Sequence, residues 1–535
     1  MPSDCIYIPY QDTHSFSKLV LDYQNQIPDL QPFYQYSPSK EGIAKAIEER
    51  SKYPTDRVAL VDTLHQQYKD LTPIEAVTKN IASLADEHTY TICTAHQPNL
   101  LTGYLYFIYK ILHAVKLAEE LNKSHPNKHF VPVYYMGSED NDLEELGVFR
   151  YEGERYTWDG NGQTGAVGRM NTESLKPLLD NLFRVLGPPS KTTDELKELL
   201  QNAYLKQPTI GKATQYIVHE LFGRYGLVVI DPDVAIFKKN ISSIIEDDLL
   251  QHTAKELVEQ QVKNITDKGY KSQAYPRDIN LFYMKDDIRE RIEKEEDKWI
   301  VVNTNISFSE KELLEELDKH PKRLSPNVIL RGLLQETMLP NVAFIGGGAE
   351  VAYWLQLKEV FSHYKVFYPV ILQRQSAMWI KPKYKALRQK LGLSIEDLFK
   401  PTLILEEEEV QKNTVHNWQT AEEQKEANEL LNKLKQKAIA IDTTLGASAE
   451  AALAKISKQL TVLEKKMLRA EKRKLATTIG RIHQLKEGLF PKGGLQERID
   501  NFIDYYPTYG DEFLDQLKEG ILPYNEQFLI IEDED

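Results

Sequence analysis

Cys93-Thr-Ala-His-Gln-Pro-Asn-Leu-Leu-Thr-Gly103 leads into an apolar helical pattern over Tyr104–Leu121, then into the apolar run Phe130–Met136 and the acidic stretch Gly137-Ser-Glu-Asp-Asn-Asp-Leu-Glu-Glu145. The stretch reads as strand, tight loop, helix, strand and acidic loop, which is one βαβ unit. Polar residues stand at the carboxyl ends of both strands. In an open parallel sheet that edge is where ligands bind. His, Gln, Lys and several carboxylates gathered there predict chemistry on a small polar molecule.

Similar signals recur on either side. Gly226-Leu-Val-Val-Ile-Asp-Pro-Asp233 is a continuous apolar run ending in two carboxylates, as expected for a strand covered on both faces. Asn341–Ile345 is a short strand running into Gly346-Gly-Gly-Ala-Glu350, with a helix expected over Ala349–Phe361. Val366–Leu372 is a further strand, followed by Gln373-Arg-Gln-Ser376. Helices are expected at Ser15–Tyr23, Glu41–Tyr53, Arg57–Tyr68 and Ser325–Glu336, and a helical region with a polar insertion over 240–320. This alternation predicts an α/β fold, a Rossmann-like doubly wound parallel sheet.

After Lys381 the pattern changes. Leu430, Leu434, Ala438 and Ile441 mark one helical stripe. Leu453, Ile456, Leu460, Leu463, Met467 and Ala470 mark a second at a/d spacing, extended by Ile479, Ile482 and Leu485. Gly446 lies between them, so an antiparallel coiled-coil hairpin is expected. The domains are then 1–380, a Rossmann-like catalytic core with insertions at about 147–220 and 240–320, and 381–535, a helical coiled-coil domain whose tail packs back on the core.

Bulk properties narrow the class. The 535 residues allow two to four domains, and 41% hydrophobic with 10% aromatic content is that of a folded chain. No apolar stretch approaches the roughly 20 residues of a membrane span. Met1–Cys5 carries no secretion signal, and the two cysteines, Cys5 and Cys93, suit a reducing cytoplasm. A formal charge of −14, with basic excess confined to Lys465–Arg481, argues against a nucleic-acid partner.

Each motif has a structural alternative. The His96–Gly103 loop can bind an anion at a helix start through His96 and Gln97, with Gly103 allowing close approach, or it is a capped connection. In the acidic loop Glu139, Asp140 and Asp142 are preferred over Glu144 and Glu145 as an ammonium site or general base; a solvated helix start is the alternative. Gly346, Gly347 and Gly348, with Glu350, can cradle a phosphate or carboxylate, or simply turn the chain. Lys110, Arg331 and Arg374 supply cations near the strand ends. Gly160-x-Gly-x-x-Gly165 matches the dinucleotide fingerprint in letters only, because Ala166–Met170 looks extended, and a hairpin turn is expected. No metal site is expected.

Together, Thr94–Lys110, Pro132–Glu145, Ser325–Gln335, Ala343–Lys358, Arg374 with Ser376, and Leu489–Glu497 resemble the bacillithiol biosynthesis cysteine-adding enzymes. The resemblance spans nearly the whole chain. It implies a nucleotidyltransferase-like core, homodimerisation through the coiled coil, and a ligase that forms an amide between L-cysteine and the amine of glucosaminyl malate. ATP or another adenine nucleotide, with Mg²⁺, is implied by analogy with related synthetase-like folds. On that reading His96, Asp140 and Asp142 are catalytic. Gln97, Gly103, Lys110, Glu139, Asn141, Arg331, Gly346, Gly347, Gly348, Glu350, Arg374 and Ser376 bind substrate or nucleotide. This chain departs from the family at His96, where Gln is usual, and at Asn141, where His is usual; His96 is expected to take the place of that histidine. The alternative is a non-catalytic metabolite- or nucleotide-binding protein with a coiled-coil docking arm.

Overall fold

The computed structural model describes residues 5–414, 418–524 and 527–533. Residues 1–4, on which the signal-free N-terminus was read, and residues 534–535 of the acidic tail lie outside them.

Five parallel strands make the central sheet: β1 (Thr89–His96), β2 (His129–Met136), β3 (Val228–Ile230), β4 (Asn341–Gly346) and β5 (Val370–Gln373). Their spatial order is 3-2-1-4-5. Cys93 of β1 pairs with Val133 of β2 on one side and with Phe344 of β4 on the other. Side chains alternate between two cores: Cys93, Val131, Val133 and Phe344 enter one, while Ile92, Phe130, Ala343 and Ile345 enter the other. That is why these runs read as continuously apolar. Helix α1 (Tyr106–Ser124) connects β1 to β2 and buries Ala114 and Leu117 on one face of the sheet. Helix α2 (Val328–Met338), capped by the Asn327 side chain accepting the Ile329 N–H, buries Leu330, Leu333 and Leu334 on the other. The fold is therefore Rossmann-like and doubly wound. The strand order reverses between β1 and β4, which places the topological switch point beside His96 and Gly346.

The region over 240–320 differs from expectation. It is helical to Asp267, then forms an antiparallel meander, Leu281–Lys285, Ile288–Glu295, Lys298–Val301 and Ser307–Phe308, with Leu324–Pro326 paired on its outer edge, and is helical again over Glu310–Lys319. Charges at most positions of Ile288–Glu295 hid the strand periodicity. The glycine stretch also differs: the hairpin lies upstream, Val148–Tyr151 against Glu154–Thr157, and Gly160–Gly162 and Val167–Arg169 are 3₁₀ turns. The expected helix Ala349–Phe361 is two, α3 (Gly348–Trp354) and Lys358–His363.

The chain makes two compact units. One runs to Trp379 and is completed by Gly494–Glu532; the other comprises Ile380–Gly493. In the first, Gln527–Glu532 pairs antiparallel with Cys5–Pro9, a strand the sequence reading missed. In the second, Ala421–Ile441 and Leu445–Lys474 form an antiparallel hairpin, with Asn428 meeting Ser457 and Lys435 meeting Glu450. The second helix stops at Lys474, so Ile479, Ile482 and Leu485 belong to a separate helix, Ala476–Leu489.

Candidate active site

A cavity of about 700 Å³ opens at the carboxyl ends of β1, β2 and β4. His96 and Gln97 line it from β1, Tyr106 and Lys110 from α1, and Glu139, Asp140, Asn141 and Asp142 from the loop after β2. Arg331 enters from α2, Gly347, Gly348 and Glu350 from the β4 turn, and Arg374 from the end of β5. Gly103, Gly346 and Ser376, expected as binding residues, do not line it. Gly103 serves the loop instead. Its backbone, φ 69 and ψ −134, opposes a Cβ, and its carbonyl accepts from Asn501 Nδ2 at 2.5 Å.

Several expected ligand-binding groups are occupied internally. Glu350 Oε2 accepts the Gly347 N–H at 2.8 Å, the half of a capping box that a glycine N-cap allows, and also pairs with Lys110 Nζ. The glycine turn is thus filled by the protein's own carboxylate. Lys110 donates further to the Ala95 carbonyl at 3.0 Å. Arg374 makes a bidentate pair with Glu497 at 2.9 and 2.6 Å, both side chains being 3% exposed or less. Ser376 Oγ also donates to Glu497, at 3.2 Å. Glu139 holds Lys238 Nζ at 2.5 Å and accepts from Ser325 Oγ at 3.0 Å. Each of these pairs satisfies buried charge that would otherwise be costly.

His96 packs edge-on against Tyr106, and its Nε2 is closed off from solvent with no hydrogen-bond partner among the described residues. Burial, reinforced by Lys110, Arg374 and Arg331, holds its pKa well below the ordinary histidine range. That direction favours the neutral ring over an imidazolium in this arrangement. Asp142 caps the short helix Leu143–Leu146 by accepting the Glu145 N–H at 3.1 Å, and stays exposed. Asp140 accepts from Gln97 Nε2 at 3.2 Å. Burial, with Asp142 and Asp140 nearby, raises the Glu145 carboxyl. Arg331 donates to Gln335 at 3.2 Å and to the Tyr353 hydroxyl at 2.6 Å, and lies 5.5 Å from the Tyr135 ring. Among the described residues it has no carboxylate in ion-pair range.

The sequence reading missed Arg289 and Arg498. Arg289 comes from the meander and its Nη1 donates to Asn141 Oδ1 at 2.9 Å. Asn141 Nδ2 in turn donates to the Arg289 carbonyl at 3.1 Å. Arg498 is an exposed cation at the rim. The only sequence signal for Arg289 is its place in a period-two pattern, Ile288-x-x-x-Ile292, masked by neighbouring charges. Among the described residues, no group of three His, Cys, Asp or Glu side chains is arranged to hold a metal, and no helix is long and apolar enough to cross a membrane.

A parallel sheet in 3-2-1-4-5 order with a charged cavity at its switch point defines a Rossmann-like protein built around a small polar ligand. Residues 1–375 match "Bacillithiol biosynthesis BshC, N-terminal Rossmann-like domain", and residues 377–532 match the C-terminal coiled-coil domain of the same family. The chain belongs to the bacillithiol biosynthesis BshC family. A relative from Flavobacterium psychrophilum, named "Putative cysteine ligase BshC", is 39% identical over 99% of both chains. Relatives of the same name are 38% identical in Flavobacterium johnsoniae, over 99% of this chain and 100% of that one, and 40% identical in Cytophaga hutchinsonii, over 93% of both.

Proposed function

We propose that this chain is a ligase that joins L-cysteine to the amine of glucosaminyl malate by an amide bond, completing bacillithiol. The observation that carries this reading is the division of open charge in the cavity: Asp142 and Glu145 after β2, and Arg331 on α2. A zwitterionic amino acid and a sugar amine bearing carboxylates need both signs. Asp140 or Asp142 holds the cysteine ammonium or takes the proton that the attacking amine loses as the C–N bond forms. Arg331 receives a malate carboxylate.

Amide formation from a free carboxylate needs activation, and ATP would supply it when bound. The cavity fits such a ligand. Its volume is about 700 Å³, and it offers Arg331 without a counter-ion and Arg498 at the rim. A Mg²⁺ brought with a nucleotide needs only one or two protein carboxylates, and Asp142 and Glu145 have no cationic partner among the described residues. Gln97 stands beside this ground on β1. The exposed leucine and isoleucine positions of the hairpin, Leu430, Leu434, Ile441, Ile456 and Leu463, support homodimerisation through it. A cytoplasmic setting follows from the same biosynthetic role.

The test is mass spectrometry of purified protein incubated with glucosaminyl malate and cysteine, with and without ATP and Mg²⁺. Bacillithiol formed only with ATP, with AMP released, is the expected result. Tight substrate binding without product under either condition would instead favour a binding protein with a docking arm.

A further inference from the structure

Arg289 is 9% exposed and lines the cavity, yet its charge is not matched. Among the described residues, the only carboxylate in range, Asp140, stands 4.0 Å from Nη1, at the limit of an ion pair. Asp140 is already shared with Gln97. Nη2 has no partner among the described residues. A guanidinium this deep is costly unless an anion completes it.

The rest of the side chain is fixed. Phe282 lies under the guanidinium, 4.0 Å from its centre to the ring centroid. Nε donates to Ser325 Oγ at 3.3 Å, and Ser325 is anchored through Glu139 to Lys238. Asn141 clasps Nη1 and the Arg289 carbonyl together. Those two contacts also fix which end of the Asn141 amide is oxygen. A stacked, braced and uncompensated fork facing a cavity is arranged to take a planar anion.

We propose that Arg289 is a specificity-determining residue that binds a carboxylate of the acid-bearing sugar substrate, and that Asn141 is its positioning residue. This rests on the ligase reading above. It gives Asn141 work other than acid–base chemistry and brings the antiparallel meander, not only the Rossmann core, into substrate selection. A nucleotide phosphate would satisfy the same fork; Asp140, 4.0 Å from Nη1, favours a singly charged carboxylate over a triphosphate.

Calorimetric titration of the full chain tests this with three probes: glucosaminyl malate, methyl glucosaminide lacking carboxylates, and ATP. Arg289→Ala is expected to weaken glucosaminyl malate binding roughly 30-fold or more and to leave the other two unchanged. Arg289→Lys keeps the charge without the fork and should recover only part of the loss. Asn141→Ala should raise KM for glucosaminyl malate about 10-fold with kcat unchanged, a split that mere structural damage would not give. Arg289→Ala and Arg289→Lys variants that both bind glucosaminyl malate as tightly as the parent, or that lose ATP instead, overturn the proposal. If the parent chain does not bind glucosaminyl malate, the ligase reading fails on its own, and malate and inorganic pyrophosphate become the probes. Loss of malate binding in Arg289→Ala then supports the carboxylate site; no effect on malate overturns it.

Discussion

The two sides of the cavity use charge differently. On the β4–β5 side, Glu350 answers Lys110 and the Gly347 N–H, and Arg374 answers Glu497, so the charges hold the protein to itself. On the β2-loop side and on α2, Asp142, Glu145 and Arg331 have no opposite partner among the described residues. Both sets stand at strand ends and look alike in a sequence. The difference teaches that a charged residue at a switch point points to a ligand only once its internal partner is known.

The sharpest way to break this contrast is Glu497→Gln. It leaves the Arg374 guanidinium buried without its counter-ion and should cost about 3–5 kcal/mol, read as a fall in the denaturation midpoint. The neutral pair Arg374→Met with Glu497→Leu should recover most of it. An unchanged midpoint in the single variant would erase the distinction. Arg331→Ala should do the reverse. Turnover is expected to fall roughly 100-fold, while the midpoint holds or rises because an unpaired, partly buried cation is gone. A large loss of stability would move Arg331 into the first set.

Asp142 separates capping from charge. Asp142→Ala should cost about 1 kcal/mol by removing the cap, whereas Asp142→Asn keeps an acceptor and costs less. Turnover should fall in both. If assays show full activity in both, the role given to Asp142 is wrong.

An effect confined to a pH window concerns Asp231 at the end of β3, whose Oδ1 accepts from Ser138 Oγ at 2.5 Å and from the Asp233 N–H at 3.0 Å. Burial, then the nearby Asp233, raises its pKa from 3.8 to about 6. The folded state therefore binds this proton more tightly than the unfolded chain. Its stabilising contribution is complete below pH 3.8 and lost as pH rises through about 6. Asp231→Asn should gain on the parent by about 2–3 kcal/mol across that window, measured as the difference in midpoint between pH 4 and 7. A flat difference would mean that Asp231 titrates alike folded and unfolded.

The parallel sheet was legible because strands buried on both faces are continuously apolar, as in Phe130–Met136 and Asn341–Ile345. The cavity's position followed, since the switch-point rule depends only on strand ends. The pairings were not legible. Glu497 lies 123 residues from Arg374, and nothing local in Leu495-Gln-Glu-Arg498 marks it as a buried counter-ion. Arg289 was hidden because charges on the open face of a meander strand mimic a polar insertion.

The chain leaves the first unit at Trp379 and returns to it at Gly494. During synthesis the five strands of the sheet are thus complete well before the residues that finish the site. Glu497 and Asn501, which clasp Arg374 and the Leu101–Gly103 loop, emerge more than a hundred residues later, some 5–25 s at ordinary translation rates. Through that interval Arg374 waits without its partner. The five-stranded sheet is therefore in place before the cavity wall that Glu497 and Asn501 complete.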